Sequence, residues 1–272
     1  MKIRFYIVTY KNPTVLNDWI LASLYNSEYD RENVEIYIIN NHSQFFIEDK
    51  YKPMVTVLHN TLRPDFSTGH LARNHNQAII NGFETLQPSH EKCDAVISCQ
   101  NDTKVLPNWE ETVKTLLKTY TYASFGTGDQ FQIFTPEGIR TTGIYDERFC
   151  NIGYQEADYF LRSYIYNRDK SSINDHAHAR LWNTSDLCPI ENTAAGWWRE
   201  GESRDIHGAS YHFHEYSRTV FIRKWGIPSE GWIIDELDKA PNPSLIPNFV
   251  TYPYFEQYVD KLREKNYVYG PA

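Results

Sequence analysis

The run from Ile3 to Val8 is dominated by apolar, aromatic and β-branched residues and stops at the polar, proline-bearing stretch Thr9-Tyr10-Lys11-Asn12-Pro13. This pattern predicts a buried strand followed by a loop. After Asn12-Pro13-Thr14, apolar residues recur at Val15, Leu16, Trp19, Ile20 and Leu24, the spacing of one helix face, ending before Asn26. A second strand, Val34 to Ile39, ends in Asn40-Asn41-His42-Ser43, and a third, Val55 to Leu58, ends in His59-Asn60. Helical spacing returns between Gly69 and Phe83 at Leu71, Ala72, Ala78, Ile79 and Phe83. A fourth strand, Ala95 to Cys99, stops at Gln100-Asn101-Asp102-Thr103, and a helix from Trp109 to Leu117 follows Pro107-Asn108. Strands alternating with helices predict an α/β fold with a mostly parallel central sheet flanked by helices. The polar loops after Val8, Ile39, Leu58 and Cys99 then share the carboxyl edge of that sheet, where open α/β sheets bind ligands.

Beyond residue 120 the pattern loosens. Phe125-Gly126-Thr127-Gly128 breaks it, Phe131 to Phe134 reads as a short strand, and Glu156 to Tyr166 reads as a helix. The tail from Pro241 to Ala272 alternates prolines with tyrosines before an amphipathic stretch near Phe255 to Lys265, and no internal repeat is found. The expectation is one domain over 1–272, with a nucleotide-binding half at 1–119 and a less patterned half with a C-terminal extension at 120–272.

Composition narrows the function classes. With 272 residues, 41% of them hydrophobic and 23% charged, the chain is long enough to bury a sizeable core and is neither disordered nor collagenous. The 27 Lys and Arg against 35 Asp and Glu give a net charge of −8 with no basic stripe, so nucleic acid is not the expected partner. No apolar run approaches the roughly 20 residues of a membrane-spanning helix, and Met1 to Val8 lacks the features of a signal peptide, so a soluble cytoplasmic protein is expected. Four cysteines (Cys93, Cys99, Cys150, Cys188) form no CxxC pair and suit a reducing compartment. The 20 Tyr, 14 Phe and 7 Trp supply faces that can stack on sugar rings or bases, or simply fill a core.

Several positions carry candidate chemistry. Asp102 follows a buried strand with Gln100 and Asn101 beside it. A carboxylate there can hold a divalent cation that neutralises a diphosphate, although Asn-Asp-Thr is also an ordinary turn. Glu156 and Asp158 open a helix whose dipole keeps a carboxylate ionised and able to accept a proton, although acidic residues in a first turn often only satisfy that dipole. His176-Ala177-His178 and His212-Phe213-His214 raise a zinc reading, but no HExxH motif accompanies them. Gly126-Thr127-Gly128 has no following Lys-Ser/Thr and is not a Walker phosphate loop. Trp182 and Trp197-Trp198-Arg199 lie in the less patterned half, where they suit either sugar stacking or core packing.

Taken in order, these motifs resemble the nucleotide-sugar-dependent glycosyltransferases of the GT-A fold, especially the broad inverting family that includes bacterial rhamnosyl- and galactosyltransferases. The resemblance spans residues 3 to about 163, with a weaker echo to 226. Ile7-Val8-Thr9-Tyr10-Lys11-Asn12 is similar to that family's opening strand and loop. Ile38-Ile39-Asn40-Asn41-His42-Ser43 is similar to its Val-Asp-Asn-x-Ser turn, with Asn40 where an aspartate is usual. Gly69-His70-Leu71-Ala72-Arg73-Asn74 resembles its Gly…Arg-Asn helix start, and Gln100-Asn101-Asp102 a divergent DxD motif retaining the last aspartate. Tyr145-Asp146-Glu147-Arg148-Phe149 followed by Glu156-Ala157-Asp158 and Arg162 resembles its Phe-Asp-Glu-x-Phe and Glu-Asp-x-Asp segments. Phe221-Ile222-Arg223-Lys224-Trp225-Gly226 resembles its Phe-x-x-Lys-Trp-Gly segment.

The resemblance implies a UDP-sugar donor, a glycan acceptor bound by the half at 120–272, and Mn²⁺ or Mg²⁺ as cofactor. It implies nucleotide contacts from Thr9, Tyr10, Asn12, Asn40, Asn41, Ser43, Gly69, Arg73, Asn74 and Asn101. It further implies metal binding by Asp102 with His212, catalysis by Glu156 with Asp158 as second acid, and acceptor contacts at Trp197 and Trp198. Soluble enzymes of this type from large algal viruses, which decorate capsid glycans, are similar in style, which would make the host cytoplasm the compartment. Two other classes stay open: a non-catalytic carbohydrate-binding protein, and a zinc-dependent hydrolase using the histidine pairs.

Overall fold

The computed structural model describes residues 1–10, 12–42, 45–60, 71–149, 154–175, 180–191, 217–221 and 224. The first strand, β1 (Ile3–Thr9), leads into α1 (Pro13–Val15), a π-helical segment (Leu16–Leu21) and α2 (Ala22–Asn26). Asn12 starts this helical stretch: its backbone is left-handed at φ 58° and its side chain accepts from the Val15 N–H at 3.2 Å, with Pro13 in the first turn where no N–H is needed. Next come β2 (Val34–Asn40), β3 (Val55–His59), α3 (Leu71–Phe83), β4 (Ala95–Gln100) and α4 (Trp109–Leu116). The chain continues through β5 (Tyr122–Gly126), β6 (Phe131–Phe134), α5 (Pro136–Thr142), α6 (Tyr154–Asn167), β7 (Ser171–Asp175) and β8 (Arg180–Trp182).

The expected α/β architecture is observed. Eight strands form one sheet in the order β3-β2-β1-β4-β6-β5-β7-β8, in which β6 and β8 run against the others. The sheet runs without a break across residue 119. Register explains why the strand-end loops meet: Thr9 pairs with Asn40, Val8 with Gln100 and Asn40 with His59, so the first four strands stop together.

The period-2 alternation of the strands sorts side chains into two cores. On one face Ile3, Phe5 and Ile7 of β1, Ile36 and Ile38 of β2 and Ile97 of β4 pack with Leu16, Ile20, Trp109 and Val113. On the other, Tyr6, Val96, Tyr122 and Phe134 pack with Ile79 and Phe83 of α3, Tyr159 and Phe160 of α6, and Phe221. Helix α3 lies close to the sheet at Gly82, where a Cβ would come within 2.2 Å of Val96 Cγ2.

Elements expected from the sequence in the first half are observed with ends shifted by a residue or two. β5, α5, β7 and β8 have no counterpart in the sequence reading: all are short, and Ser, Thr or Gly dilutes the apolar signal of β5, α5 and β7. The amphipathic stretch near Phe255 to Lys265 lies outside the described residues. Among the described residues, no helix is long and apolar enough to cross a membrane.

Candidate active site

The carboxyl ends of β1, β2 and β4 are tied to one another by their own polar residues. The Asn41 N–H donates to Thr9 O at 3.0 Å and its side-chain amide to the same carbonyl at 3.3 Å. The Asn101 N–H donates to Val8 O at 3.1 Å, and its side-chain amide donates to Thr9 Oγ1 at 3.2 Å. Asn60, past the end of β3, donates to Asn41 Oδ1 at 3.2 Å and to Gln77 Oε1 of α3 at 2.6 Å. Asn40 folds its own loop: its amide oxygen accepts from the His42 N–H at 3.1 Å while its amide nitrogen meets His59 Nδ1 at 3.0 Å. Thr9, Asn40, Asn41 and Asn101 therefore come together at one edge. The Tyr10 and His42 rings lie edge to face there, 5.2 Å apart.

Asp102 is 2% exposed at the tip of β4. Gln130 fixes its backbone, donating from Nε2 to Asp102 O at 3.0 Å, while the Gln100 N–H donates to Gln130 O at 2.9 Å. Both ties come from the β5–β6 turn, which the sheet order sets beside β4 because β6 pairs antiparallel with it, Cys99 opposite Phe131. Burial, aided by the charge of Asp102, pushes the Cys99 thiol well above its ordinary range, so it stays a protonated, inert core residue.

Helix α6 delivers the other two expected acids to different places. Glu156, 5% exposed in the first turn, lies against Gly128 of the β5–β6 turn, where a Cβ would sit 2.8 Å from Glu156 Oε1. Gly128 has φ +60°, a left-handed conformation that suits glycine. Asp158 turns to the interior, with Oδ1 2.7 Å from Lys224 Nζ and Oδ2 3.0 Å from Arg162 Nε. Lys224 also meets Asp146 at 3.0 Å, and Arg162 donates to Thr142 O at 2.8 Å. At 0% exposure and held between two cations, Asp158 sits in a buried ion-pair cluster. Arg73 of α3 meets Glu147 at 3.1 Å, and Asn76 holds the other oxygen of Glu147 at 3.0 Å. Asn74 is buried on the same helix.

Ser43, Gly69, Trp197, Trp198 and His212 lie outside the described residues, as do the two HxH pairs. Among the described residues, no three His, Cys, Asp or Glu side chains converge as a ready-made metal cage. Mg²⁺ and ions like it are held by one or two carboxylates together with substrate phosphates, and a hard oxygen donor such as Asp102 suits that mode. The donor set fits the implied cofactor.

Solved structures similar to this chain include glycosyltransferases. The mannosyltransferase PcManGT from Pyrobaculum calidifontis, in complex with GDP-Man and Mn²⁺, aligns with TM-score 0.45 and 11% identity over 96% of this chain and 85% of its own. Residues 1–349 of TarS from S. aureus align with TM-score 0.47 and 10% identity over 97% and 83%. The same TarS fragment in complex with UDP-GlcNAc aligns with TM-score 0.43 and 10% identity over 79% and 66%. No protein-family model and no curated protein matches the chain.

Sequence reasoning missed the residues that hold the segments carrying these acids. Gly128 belongs to the Gly126-Thr127-Gly128 stretch, which the sequence marks only as not a phosphate loop, and Gln130 lies just beyond it. Asp129 is buried next to them and takes hydrogen bonds from Gln100 at 2.6 Å and Gln155 at 3.2 Å. One signal was available: Ser98 and Gln100 in β4 and Gln132 in β6 are polar residues at alternating positions of otherwise apolar strands. Buried polar side chains require partners.

Proposed function

We propose that the chain is a metal-dependent glycosyltransferase of GT-A type, moving a sugar from a UDP-sugar to a hydroxyl of a glycan acceptor with inversion at the anomeric carbon. One observation carries the reading. Asp102 at the tip of β4 and Glu156 in the first turn of α6 approach the same short turn, which touches Asp102 through Gln130 and Glu156 through Gly128. This supports a reading in which a cation-holding carboxylate and a proton-accepting one serve the same edge of the sheet, where open α/β sheets bind ligands.

In this proposal Asp102, with Asn101 beside it, holds Mn²⁺ or Mg²⁺, and His212 is kept as a further ligand. The bound ion supplies neutralisation of the charge that develops on the leaving diphosphate. Tyr10, His42, Arg73, Asn74 and the Thr9-Asn41-Asn101 edge, extended by Asn12, Asn40, Ser43 and Gly69, receive the nucleotide. Glu156, kept ionised by the positive end of α6, accepts the proton of the acceptor hydroxyl. The hydroxyl oxygen then bonds to the anomeric carbon as the bond from that carbon to the diphosphate oxygen breaks, and UDP leaves with the electron pair. Asp158 acts from a distance by fixing α6 through its ion pairs. Trp197 and Trp198 are the proposed acceptor-stacking residues.

The test is Glu156→Gln, which keeps the shape of the side chain and removes its basicity. Turnover should fall by about 10²-fold or more, with UDP affinity retained, and NMR of the wild-type product should show the anomer opposite to the donor. A product that retains the donor configuration removes Glu156 as base.

A further inference from the structure

Several buried side chains that this mechanism does not use meet on the α3 and α6 face of the sheet. Ser98 Oγ lies 2.8 Å from His75 Nδ1, and His75 Nε2 lies 2.8 Å from Asp129 Oδ2. Gln100 Nε2 donates to Asp129 Oδ1 at 2.6 Å, and Gln155 Nε2 donates to Oδ2 at 3.2 Å. Ser98 and His75 are 0% exposed and Asp129 is 1% exposed. A serine hydroxyl closed off in this way meets no substrate, so the Ser98-His75-Asp129 line is not a nucleophile relay. With a proton on Nε2, His75 accepts from Ser98 at Nδ1 and donates to Asp129, whose carboxylate then accepts from three N–H groups.

The placement of those donors gives the cluster its use. Gln100 immediately precedes Asn101 and Asp102 at the end of β4, and Gln155 immediately precedes Glu156 at the start of α6. We propose that Asp129 is the positioning residue that sets the separation between the Asp102 strand end and the Glu156 helix start, one carboxylate oxygen holding each side. The proposal rests on the roles given above to Asp102 and Glu156. The nucleotide edge has ties of its own, from Asn41 and Asn101 to β1 and from Gln130 to the Asp102 carbonyl, and none of them passes through the Asp129 side chain. Disturbing Asp129 therefore moves the base relative to the donor while leaving the donor seat in place.

Asp129→Asn tests this together with Gln155→Ala: an amide nitrogen in place of Oδ2 faces the Gln155 amide donor to donor unless that amide turns over, and Gln155→Ala leaves no amide to turn. His75 adapts by moving its proton to Nδ1, so the break falls on the helix arm. The double variant Asp129→Asn/Gln155→Glu reverses the polarity of that arm at constant total charge: the amide introduced at position 129 donates to the carboxylate introduced at position 155. Measured on the full chain with Mn²⁺, Asp129→Asn should lower kcat by about 10- to 100-fold, while UDP affinity and stoichiometry by calorimetry stay at wild-type values. The double variant should recover most of kcat. A wild-type kcat in both Asp129→Asn and Gln155→Ala overturns the proposal. So does a joint fall of kcat and binding stoichiometry without recovery in the double variant, which is the signature of lost stability alone. If Asp129→Asn does not fold, Gln155→Ala removes the helix arm without adding a buried charge and is read in the same way. A wild-type chain that neither binds UDP with Mn²⁺ nor releases it removes the glycosyltransferase reading and this proposal together. An active wild type matched by both Asp129→Asn and Gln155→Ala removes the proposal alone.

Discussion

Lys224 is a lysine 3% exposed that lies 3.0 Å from Asp146 and 2.7 Å from Asp158, with Arg162 closing the cluster on Asp158. A buried cation is tolerable only when paired, and removing one partner leaves an uncompensated charge. Lys224→Ala should therefore cost about 3–5 kcal/mol, read as a fall in the urea midpoint. The same cluster predicts an acid response. Burial acting alone would raise the Asp146 carboxyl, but the charges of Lys224 and Arg148 outweigh it and hold the group down to about 2 from its ordinary 3.8. Because the folded value lies below the unfolded one, the contribution of Asp146 is fully present above pH 3.8 and is lost as pH falls through about 2. Stability measured across that window should decline in the wild type, and Asp146→Asn should flatten the decline while lowering stability at neutral pH. At this scale the sequence was legible in part. It singled out Asp146, Asp158, Arg162 and Lys224 as motif members, but the direction Asp158 faces depends on Lys224, a residue remote in sequence that only the fold brings into contact.

The β5–β6 turn shows the same division at the level of elements. It carries Gly128 against Glu156, Asp129 against Gln100 and Gln155, and Gln130 against Asp102, so three successive residues are tied to both candidate acids. Gly128→Ala brings a left-handed backbone cost of about 1–2 kcal/mol and sets a methyl 2.8 Å from Glu156 Oε1. Turnover should fall well beyond what the change in melting temperature explains. Gly82→Ala is the contrast: its methyl would meet Val96 at 2.2 Å in the α3–β4 packing. It should cost about 1–3 kcal/mol of stability while the turnover of the folded fraction remains. The strands that open the sheet were legible because each is a buried apolar run with a polar stop. β5, Tyr122–Gly126, was not, since Ser124 and Gly126 dilute its apolar signal and its neighbour β6 is reached through a turn with two left-handed glycines. The pairing of β6 between β4 and β5 is a tertiary fact that no local pattern announces.

For the whole molecule, the decisive feature is that six strands point one way and deliver their carboxyl ends to one edge. Alternating strand and helix patterns foretold that edge, and with it the meeting of Thr9, Asn40, Asn41, Asn101 and Asp102. They did not foretell the supports behind it, because a buried histidine such as His75 and a glutamine such as Gln132 reveal their partners only after the sheet and α3 have packed. Gln130 holds the Asp102 backbone, and Asp129 holds Gln100 and Gln155, the residues beside the two candidate acids, so buried polar groups from an element distant in sequence fix the strand end and the helix start. The measurement that bears most directly on the account is UDP release from a panel of UDP-sugars with Mn²⁺, repeated with EDTA and with Asp102→Ala, alongside UDP binding under the same conditions. The account predicts release from one donor that EDTA and Asp102→Ala both abolish. A protein that neither releases nor binds UDP with Mn²⁺ present would contradict it.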